Sequence, residues 1–171
     1  MTDYSFFAQN GTVSVCTDTT ATSPTYTAVM AVQNCSFELQ FEANDLYSWG
    51  TVKRVATARH EAKVNVTLEY AKILDEDFFK YILNPSATAT SLASGVSIAD
   101  TTNQHMFNVK AEIPDTTGTK KMVIEATDVY FSNLPFSGDL GEWVKMNLEG
   151  HGADLKVSIV SYTPPTSGDV L

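Results

Sequence analysis

The feature that most constrains this fold is a long alternation of apolar and polar side chains in Arg59–Ile73, RHEAKVNVTLEYAKI. Its apolar members occupy every second position and are Ala62, Val64, Val66, Leu68 and Tyr70. A period of two places these side chains on one side of a β-strand, whereas on a helix they would scatter around the axis. Strands are usually about 5–6 residues long. A run of this length therefore predicts a strand that extends past its own sheet or crosses a curved one.

A second alternation, over residues 35–41, predicts another amphipathic strand. Its apolar side chains are Cys35, Phe37, Leu39 and Phe41. Glu38, Gln40 and Glu42 occupy the opposite face, which is therefore acidic. The segment EANDLYSWGTVKR, which leads into the long strand, has possible helix caps at residues 44–45 and a glycine stop. It is predicted to form a short turn of helix.

The N-terminal residues 1–33 are rich in Thr, Ser and Ala, and are predicted to form an arm or hairpin. Two β-type stretches, Thr12–Cys16 and Tyr26–Val32, are separated there by the turn-like sequence TDTTATSPT. Small and polar residues of this kind are typical of connections between strands.

One helix is predicted after the long strand. Asp75 can cap it, and it runs through EDFFKYILNP with Pro85 beyond its end. Its apolar side chains recur at helical spacing and are Phe78, Phe79, Ile82 and Leu83. Residues 84–103 are small and polar, without charge until Asp100, which predicts a long surface loop.

The C-terminal part predicts two hairpins. His105–Ile113 and Lys120–Phe131 flank the turn PDTTGT, and the apolar phase shifts near Asp128 as a β-bulge requires. Trp143–Leu148 and Leu155–Tyr162 lie on either side of EGHGAD and are expected to close the sheet as a second hairpin. The C-terminal residues 163–171 are expected to be a flexible tail.

These elements predict a single mainly β domain over residues 1–171. Seven or eight strands and one helix favour a β-sandwich or a curled barrel with one flanking α-helix. With 171 residues, of which 43% are hydrophobic, the chain can bury a sizeable core. No segment approaches the roughly 20 apolar residues that span a bilayer, and no signal peptide is recognisable, so we expect no membrane partner. Its two cysteines, Cys16 and Cys35, are expected to be free thiols.

Charge and residue spacing exclude several classes of function. The formal net charge of −9 argues against nucleic-acid binding as a primary task, because such binding depends on Lys and Arg. His60, His105 and His151 have no metal-ligand spacing, and no metal or cofactor site is expected. No sequence context activates a serine or cysteine nucleophile, so no catalytic residue is predicted and the protein is expected not to be an enzyme.

The order of parts resembles that of a known family. It consists of a strand CSFELQFEA, a segment DLYSWGTVKR, the long strand RHEAKVNVTLEYAKI, one helix, and paired hairpins ending in a charged strand. This resembles the tail tube proteins of long-tailed phages and tailed archaeal viruses, and the related tube proteins of contractile injection machines and type VI secretion. The matching pattern covers most of residues 34–162.

The resemblance implies a structural virion protein of the tail, assembled in the host cytoplasm. It implies a homohexamer whose rings stack into a tube, with strand edges completed by neighbouring subunits and other tail proteins as partners. Double-stranded DNA would pass through the lumen without specific binding. The acidic strand faces, ordinarily solvated surface, would then line that lumen, which makes Glu38, Glu42, Lys63 and Glu69 the lumen-facing candidates.

Two alternatives remain open. One is a secretion-system tube protein. The other is a non-enzymatic β-sandwich binding module, either a virion decoration or a carbohydrate-binding protein. Such a module would stack a sugar on exposed aromatic rings, and the candidates are Tyr47, Trp49, Tyr130 and Trp143.

Overall fold

The computed structural model describes residues 11–20, 22–30, 34–47, 54–69, 72–73, 81–83, 105–133, 135–137 and 145–164. This part of the chain is mainly β, as predicted. Its strands are β1 (Thr12–Cys16), β2 (Thr27–Met30), β3 (Asn34–Tyr47), β4 (Arg54–Glu69), β5 (Lys72–Ile73), β6 (Phe107–Pro114), β7 (Lys120–Phe131), β8 (Phe136–Ser137), β9 (Lys145–Gly152) and β10 (Asp154–Ser161). Residues 81–83 are α-helical.

The strands pair in the order β3-β4-β9-β7-β6-β1-β2-β5, with β10 added to β7 and β8 added to β9. The described strands do not close into a barrel. Strand β7 belongs to two halves of this sheet. Its residues Lys120–Thr127 pair with β10, whereas Tyr130 and Phe131 pair with β9. We call β3, β4, β8 and β9 the β4 half, and β10, β7, β6, β1, β2 and β5 the β6 half.

Side chains from both halves meet in one core, which makes the fold a sandwich. Val64, Val66 and Leu68 of the long strand are buried, which confirms the apolar face predicted for this segment. The other buried members of this cluster are Val15, Phe107, Val109, Ala126, Val129, Phe131 and Leu148. The core therefore lies between β4 with β9 on one side and β1, β6 and β7 on the other.

The bulge predicted near Asp128 is present. Phe107 pairs with Val129 but Val109 pairs with Ala126, so β7 carries one extra residue there. Asp128 has a φ of 50°, and its N–H donates to Asn108 Oδ1 at 3.2 Å. A bulge bends a strand and increases its twist. At this point β7 passes from the β6 half to the β4 half.

The long strand extends beyond its sheet, as its length predicted. β4 has 16 residues and β3 has 14, and they pair antiparallel along nearly their whole length. Strand β9 pairs with β4 from Val64 to Glu69. Within the described residues, the part of β4 before Val64 pairs with β3 alone. The two strands therefore form a ribbon that leaves the sandwich.

The helix predicted between these strands is wrong for the residues that the structure describes. Asn44 and Asp45, expected as caps, pair with Ala58 and Thr57 as part of β3. The backbone pairing with β4 satisfies their N–H and C=O groups, so the local preference of Asn and Asp for caps is overridden. Residues 48–53 lie outside the described part of the chain.

The closing hairpin is also wrong. β9 and β10 follow each other in sequence, but β9 pairs with β4 while β10 pairs with β7. Between them the N–H of Ala153 donates to the carbonyl of Thr127 at 3.0 Å. The chain thus crosses from the β4 half to the β6 half at this residue. A turn-like sequence such as EGHGAD does not distinguish such a crossing from a hairpin turn.

Other predictions are confirmed where the structure describes them. β1 and β2 pair as the N-terminal hairpin, and β1 also pairs with β6, which brings this hairpin into the sheet. Cys16 is buried and Cys35 is half-buried, and both are free. Tyr81 and Ile82 in the helical segment pack against the core. The predicted cap Asp75, the loop at 84–103 and most of the tail lie outside the described residues.

Candidate functional site

The candidate site is the surface of the β4 half that faces away from the core. Alternation along the strands places every second residue there. We call this the polar face, and its members are Asn34, Ser36, Glu38, Gln40, Lys63, Asn65, Thr67, Glu69, Asn147, Glu149 and His151. Antiparallel pairing lines them up in rows across three strands. Asn65, for example, lies between Glu38 on β3 and His151 on β9.

Neutral side chains hold the charged ones of the polar face in place. Asn34 Nδ2 donates to Glu69 Oε2 at 3.1 Å, and Gln40 Nε2 donates to Glu38 Oε1 at 2.9 Å. The amide oxygen of Asn65 lies 3.0 Å from His151 Nδ1. These donors are neutral groups, so they add no positive charge to the polar face.

The structure brings three of the four predicted lumen candidates onto this face. Glu38 and Lys63 are exposed, and Glu69 is half-buried. The side chain of Glu42 lies outside the described side chains. Whether this face lines a lumen is not a property of a single chain, so their role stays a prediction.

Two further residues of the face were not among the candidates. Glu149 is exposed opposite Thr67, and His151 is exposed opposite Asn65. The loop that follows β7 holds the backbone at Glu149. The N–H of Glu149 donates to Asn133 Oδ1 at 2.8 Å, and its carbonyl accepts from the N–H of Ser132 at 2.8 Å. The alternation of Leu148, Glu149 and Gly150 carries a strand signal, but EGHGAD is equally typical of a turn.

The charge of the polar face is predominantly negative. Glu38, Glu69 and Glu149 supply carboxylates, and Lys63 supplies an ammonium group on β4 opposite Gln40. Opposite signs at short range weaken the local field, but the sum over these described side chains remains acidic. The polar face therefore repels polyanions.

The outer surface of the β6 half has a different character, because its charges are paired. Lys110 Nζ lies 3.2 Å from Glu112 Oε1, and Lys121 Nζ lies 2.8 Å from Glu112 Oε2. Partial burial raises the pKa of Glu112, but the hydrogen bonds from the two lysines outweigh this effect and lower it. Close pairing of this kind cancels much of the charge. We therefore locate the candidate site on the polar face.

A tyrosine completes this paired network. Tyr26 donates its hydroxyl hydrogen to Glu125, and Lys110 Nζ lies 4.1 Å from the centre of the Tyr26 ring. Burial, followed by the hydrogen bond to the Glu125 carboxylate, raises the pKa of Tyr26 far above its usual value. The phenol therefore stays protonated as a donor, in a structural role that ties the N-terminal hairpin to β7.

Among the described side chains, neither surface carries a cluster of metal ligands. In the part of the chain that the structure describes, no group of three or more His, Cys, Asp or Glu side chains could hold a metal ion. Of the four aromatic candidates for sugar stacking, the structure describes the side chain of Tyr130. It is half-buried, and its ring centre lies 5.4 Å from that of His151.

Comparison with solved structures identifies this architecture. A chain of the sheath–tube complex of an extracellular contractile injection system, PVC, in its extended state matches with a TM-score of 0.60 and 12% identity, over 92% of this chain and 94% of that one. A chain from the sheath/tube terminator of the same system matches with a TM-score of 0.60 and 12% identity, over 92% and 99%. This protein shares their fold.

The resemblance to tube proteins inferred from the sequence is thereby confirmed at the level of the fold. A chain from the baseplate of the anti-feeding prophage matches as well, with a TM-score of 0.52 and 10% identity over 92% of this chain and 95% of that one. No family model and no curated protein matches the sequence itself. Among the described helical residues, nothing is long and apolar enough to cross a membrane.

Proposed function

We propose that this protein is a tail tube subunit that assembles into stacked hexameric rings and forms a conduit for viral DNA during ejection. In this proposal it is a non-enzymatic component of the virion tail, assembled in the host cytoplasm together with other tail proteins. The observation that carries the proposal is the combination of a tube-type fold over 92% of the chain with a continuous polar face on its longest strands.

The chemistry of the polar face suits a DNA conduit. DNA sliding past a wall must be neither trapped by positive charge nor held by apolar contact. Exposed carboxylates at Glu38 and Glu149 repel phosphates, and the effect reaches about 8 Å at physiological ionic strength. Amides and hydroxyls between them keep the wall hydrated. Lys63 reduces the field without reversing its sign.

The strand edges suit self-assembly. Among the described strands, β3 pairs with β4 alone and β10 pairs with β7 alone, so each presents an edge of unpaired N–H and C=O groups. Exposed edges of long strands are sites where another chain can add a strand. Completion of these edges by neighbouring subunits would extend the open sheet from one chain into the next.

A tube of a contractile injection or secretion system is the second candidate. The similar structures with TM-scores of 0.60 come from an extracellular contractile injection system, and this observation favours it. Both candidates require the same ring and tube, and they differ in what passes through the lumen. A monomeric binding module is the third candidate, and it requires an exposed aromatic ring on which a sugar can stack.

Electron microscopy of the concentrated purified protein tests the proposal. We expect rings with six-fold symmetry that stack into tubes of uniform width. Particles that remain monomeric at every concentration and salt condition would contradict both tube candidates. Sedimentation of the same samples gives an independent measure of assembly.

A further inference from the structure

Two apolar patches on the chain are exposed although they continue rows that belong to the core. The β3 patch consists of Leu39 and Phe41, which are 41% and 55% exposed. Its row begins with Cys35 and Phe37, and those two side chains pack against the core. The β3 patch thus lies on the same side of β3 as the core residues Cys35 and Phe37. Its two side chains remain exposed because the core of the sandwich does not extend that far along the strand.

The second patch lies on β10 and has the same origin. The β10 patch consists of Val157 and Ile159, which are 58% and 48% exposed. Its row begins with Leu155, which packs against the core. Their cross-strand neighbours are Ile124 and Met122 on β7, which are half-buried. The row therefore widens into an apolar surface across two strands.

The two patches do not cover each other within one chain, because all four side chains remain exposed. Strands β4, β9 and β7 lie between β3 and β10 in the order of the sheet. Both patches lie on strands whose outer edge has no partner among the described residues. Each patch therefore combines exposed apolar side chains with a backbone edge that is unpaired among the described residues, and a strand from another molecule can satisfy both features.

We propose that the β10 patch of one subunit packs against the β3 patch of the next. This inference rests on the proposed ring, and it names the surfaces that form it. Because the two patches are different surfaces, the contact is heterologous and repeats head to tail. Such a contact forms a closed ring when the rotations between successive copies add up to one full turn after a whole number of copies.

The charges beside the two patches are complementary. Alternation places Glu38 and Gln40 on the far side of β3 from its patch, and Lys156 and Ser158 on the far side of β10. When the two edges meet with their apolar rows on one side, these polar rows share the other side. The carboxylate of Glu38 then faces a surface that carries the ammonium group of Lys156. This complementarity favours a second copy of the chain as the occupant.

Two charge substitutions test the contact. Leu39→Lys and Ile159→Glu each place an ion in one patch, and burying an unpaired charge is strongly unfavourable. We expect each variant alone to need at least about a 10-fold higher concentration for ring assembly. The matched controls Thr22→Lys and Thr22→Glu add the same charges at an exposed position in the segment between β1 and β2, outside both strands of the contact. They are expected to assemble like the parent. Circular dichroism and the thermal midpoint establish that each variant is folded.

Mixing the two variants identifies the contact as heterologous. The Leu39→Lys chain retains an intact β10 patch, and the Ile159→Glu chain retains an intact β3 patch. In an equimolar mixture, the β10 patch of a Leu39→Lys chain can therefore meet the β3 patch of an Ile159→Glu chain in a parental contact. Where the two mutated patches meet instead, the introduced charges have opposite signs. We expect the mixture to form rings under conditions where either variant alone stays monomeric. A mixture that stays monomeric overturns the proposal, and so does normal assembly of either variant by itself.

Disulfide trapping provides a readout that does not depend on charged variants. Chains with Leu39→Cys are mixed with chains with Ile159→Cys, and heterodimers formed on oxidation are counted by mass spectrometry. The native thiols interfere little, because Cys16 is buried and burial raises the pKa of Cys35 to about 12. Heterodimers well above the level of the Gln40→Cys and Ile159→Cys control mixture are expected. Equal yields in the two mixtures overturn the proposal.

The outcome for the parent protein separates this inference from the proposed function. If the parent forms tubes and the two charge variants also form them, the interface assignment fails and the tube function stands. If the parent forms no rings at any concentration, the tube function itself fails.

Discussion

At the scale of single residues, the fold depends on a glycine whose role the sequence did not reveal. A Cβ at Gly150 would lie 2.7 Å from Val129 Cγ1 and 3.1 Å from Phe131 Cδ1. Both neighbours are buried in the core. The hydrogen of glycine lets β9 approach β7 at the point where the two halves join. In the sequence, EGHGAD is typical of a turn, and the close approach depends on the position of a strand far away in the chain.

Gly150→Ala is expected to lower the free energy of unfolding by about 1–3 kcal/mol, because overpacking a core forces its neighbours to move. The measurement is urea unfolding of the parent and the variant under identical conditions. Asn147→Ala on the same strand is the control, since Asn147 is exposed. Its effect is expected to stay within about 0.5 kcal/mol. A Gly150→Ala variant as stable as this control would contradict the close approach.

Asp115 in the turn between β6 and β7 predicts a dependence of stability on pH. Thr117 Oγ1 donates to its carboxylate at 2.6 Å, and the N–H groups of Thr119 and Lys120 donate to it at 3.0 and 3.2 Å. The hydrogen bond from Thr117 contributes most to lowering the pKa of Asp115 below 3.8. A lowered pKa means that the folded state favours the charged carboxylate.

The stabilisation from Asp115 is therefore fully present above pH 3.8 and is lost as the pH falls through the lower pKa of the folded state. Asp115→Asn removes this titration. We expect the parent to be more stable than the variant at pH 6, and the difference to shrink as the pH falls from about 5 to 2. Unfolding in urea across this range measures it. A difference that does not change with pH would show that the carboxylate does not titrate with folding.

At the scale of elements, local signals predicted local structure. Alternation located the faces of β3, β4 and β7, and Pro114 with Gly118 marked the turn between β6 and β7, where Gly118 has a φ of 70°. The bulge was visible as a phase shift at Asp128. The pairing of β9 with β4 was not visible, because such pairing between distant segments depends on packing. The ribbon was missed over Glu42–Tyr47 for the same reason.

Asp128 allows the bulge to be tested directly. Its φ of 50° lies in the left-handed region, which glycine adopts without strain and β-branched residues avoid. Asp128→Val is expected to lower the free energy of unfolding by about 1–2 kcal/mol relative to Asp128→Gly. Thermal or urea unfolding of both variants provides the comparison. Equal stability of the two would argue against a left-handed residue at this position.

At the scale of the whole molecule, the proposed conduit predicts that the charge of the polar face controls the retention of DNA. The double variant Glu69→Lys and Glu149→Lys is expected to fold, because Glu149 is exposed and Glu69 is half-buried. Glu38 is left unchanged, because its carboxylate lies beside the proposed contact between subunits. Assemblies of the double variant are expected to retain double-stranded DNA and to release it as salt concentration rises, because lysines on phosphates release counterions. Filter binding or co-sedimentation across a salt series measures this retention.

The matched control carries Gln at the same two positions, which removes the negative charges without adding positive ones. It is expected to retain little DNA at any salt concentration. If the lysine variant retains no more DNA than the glutamine variant, DNA does not reach this face.

The central claim is that the polar face lines the inside of a tube, and a cryo-EM reconstruction of the assembled protein tests it most directly. We expect stacked six-fold rings in which Glu38, Asn65 and His151 point toward the axis. The same three side chains on the outer wall, or a protein that remains monomeric at high concentration, would contradict the account.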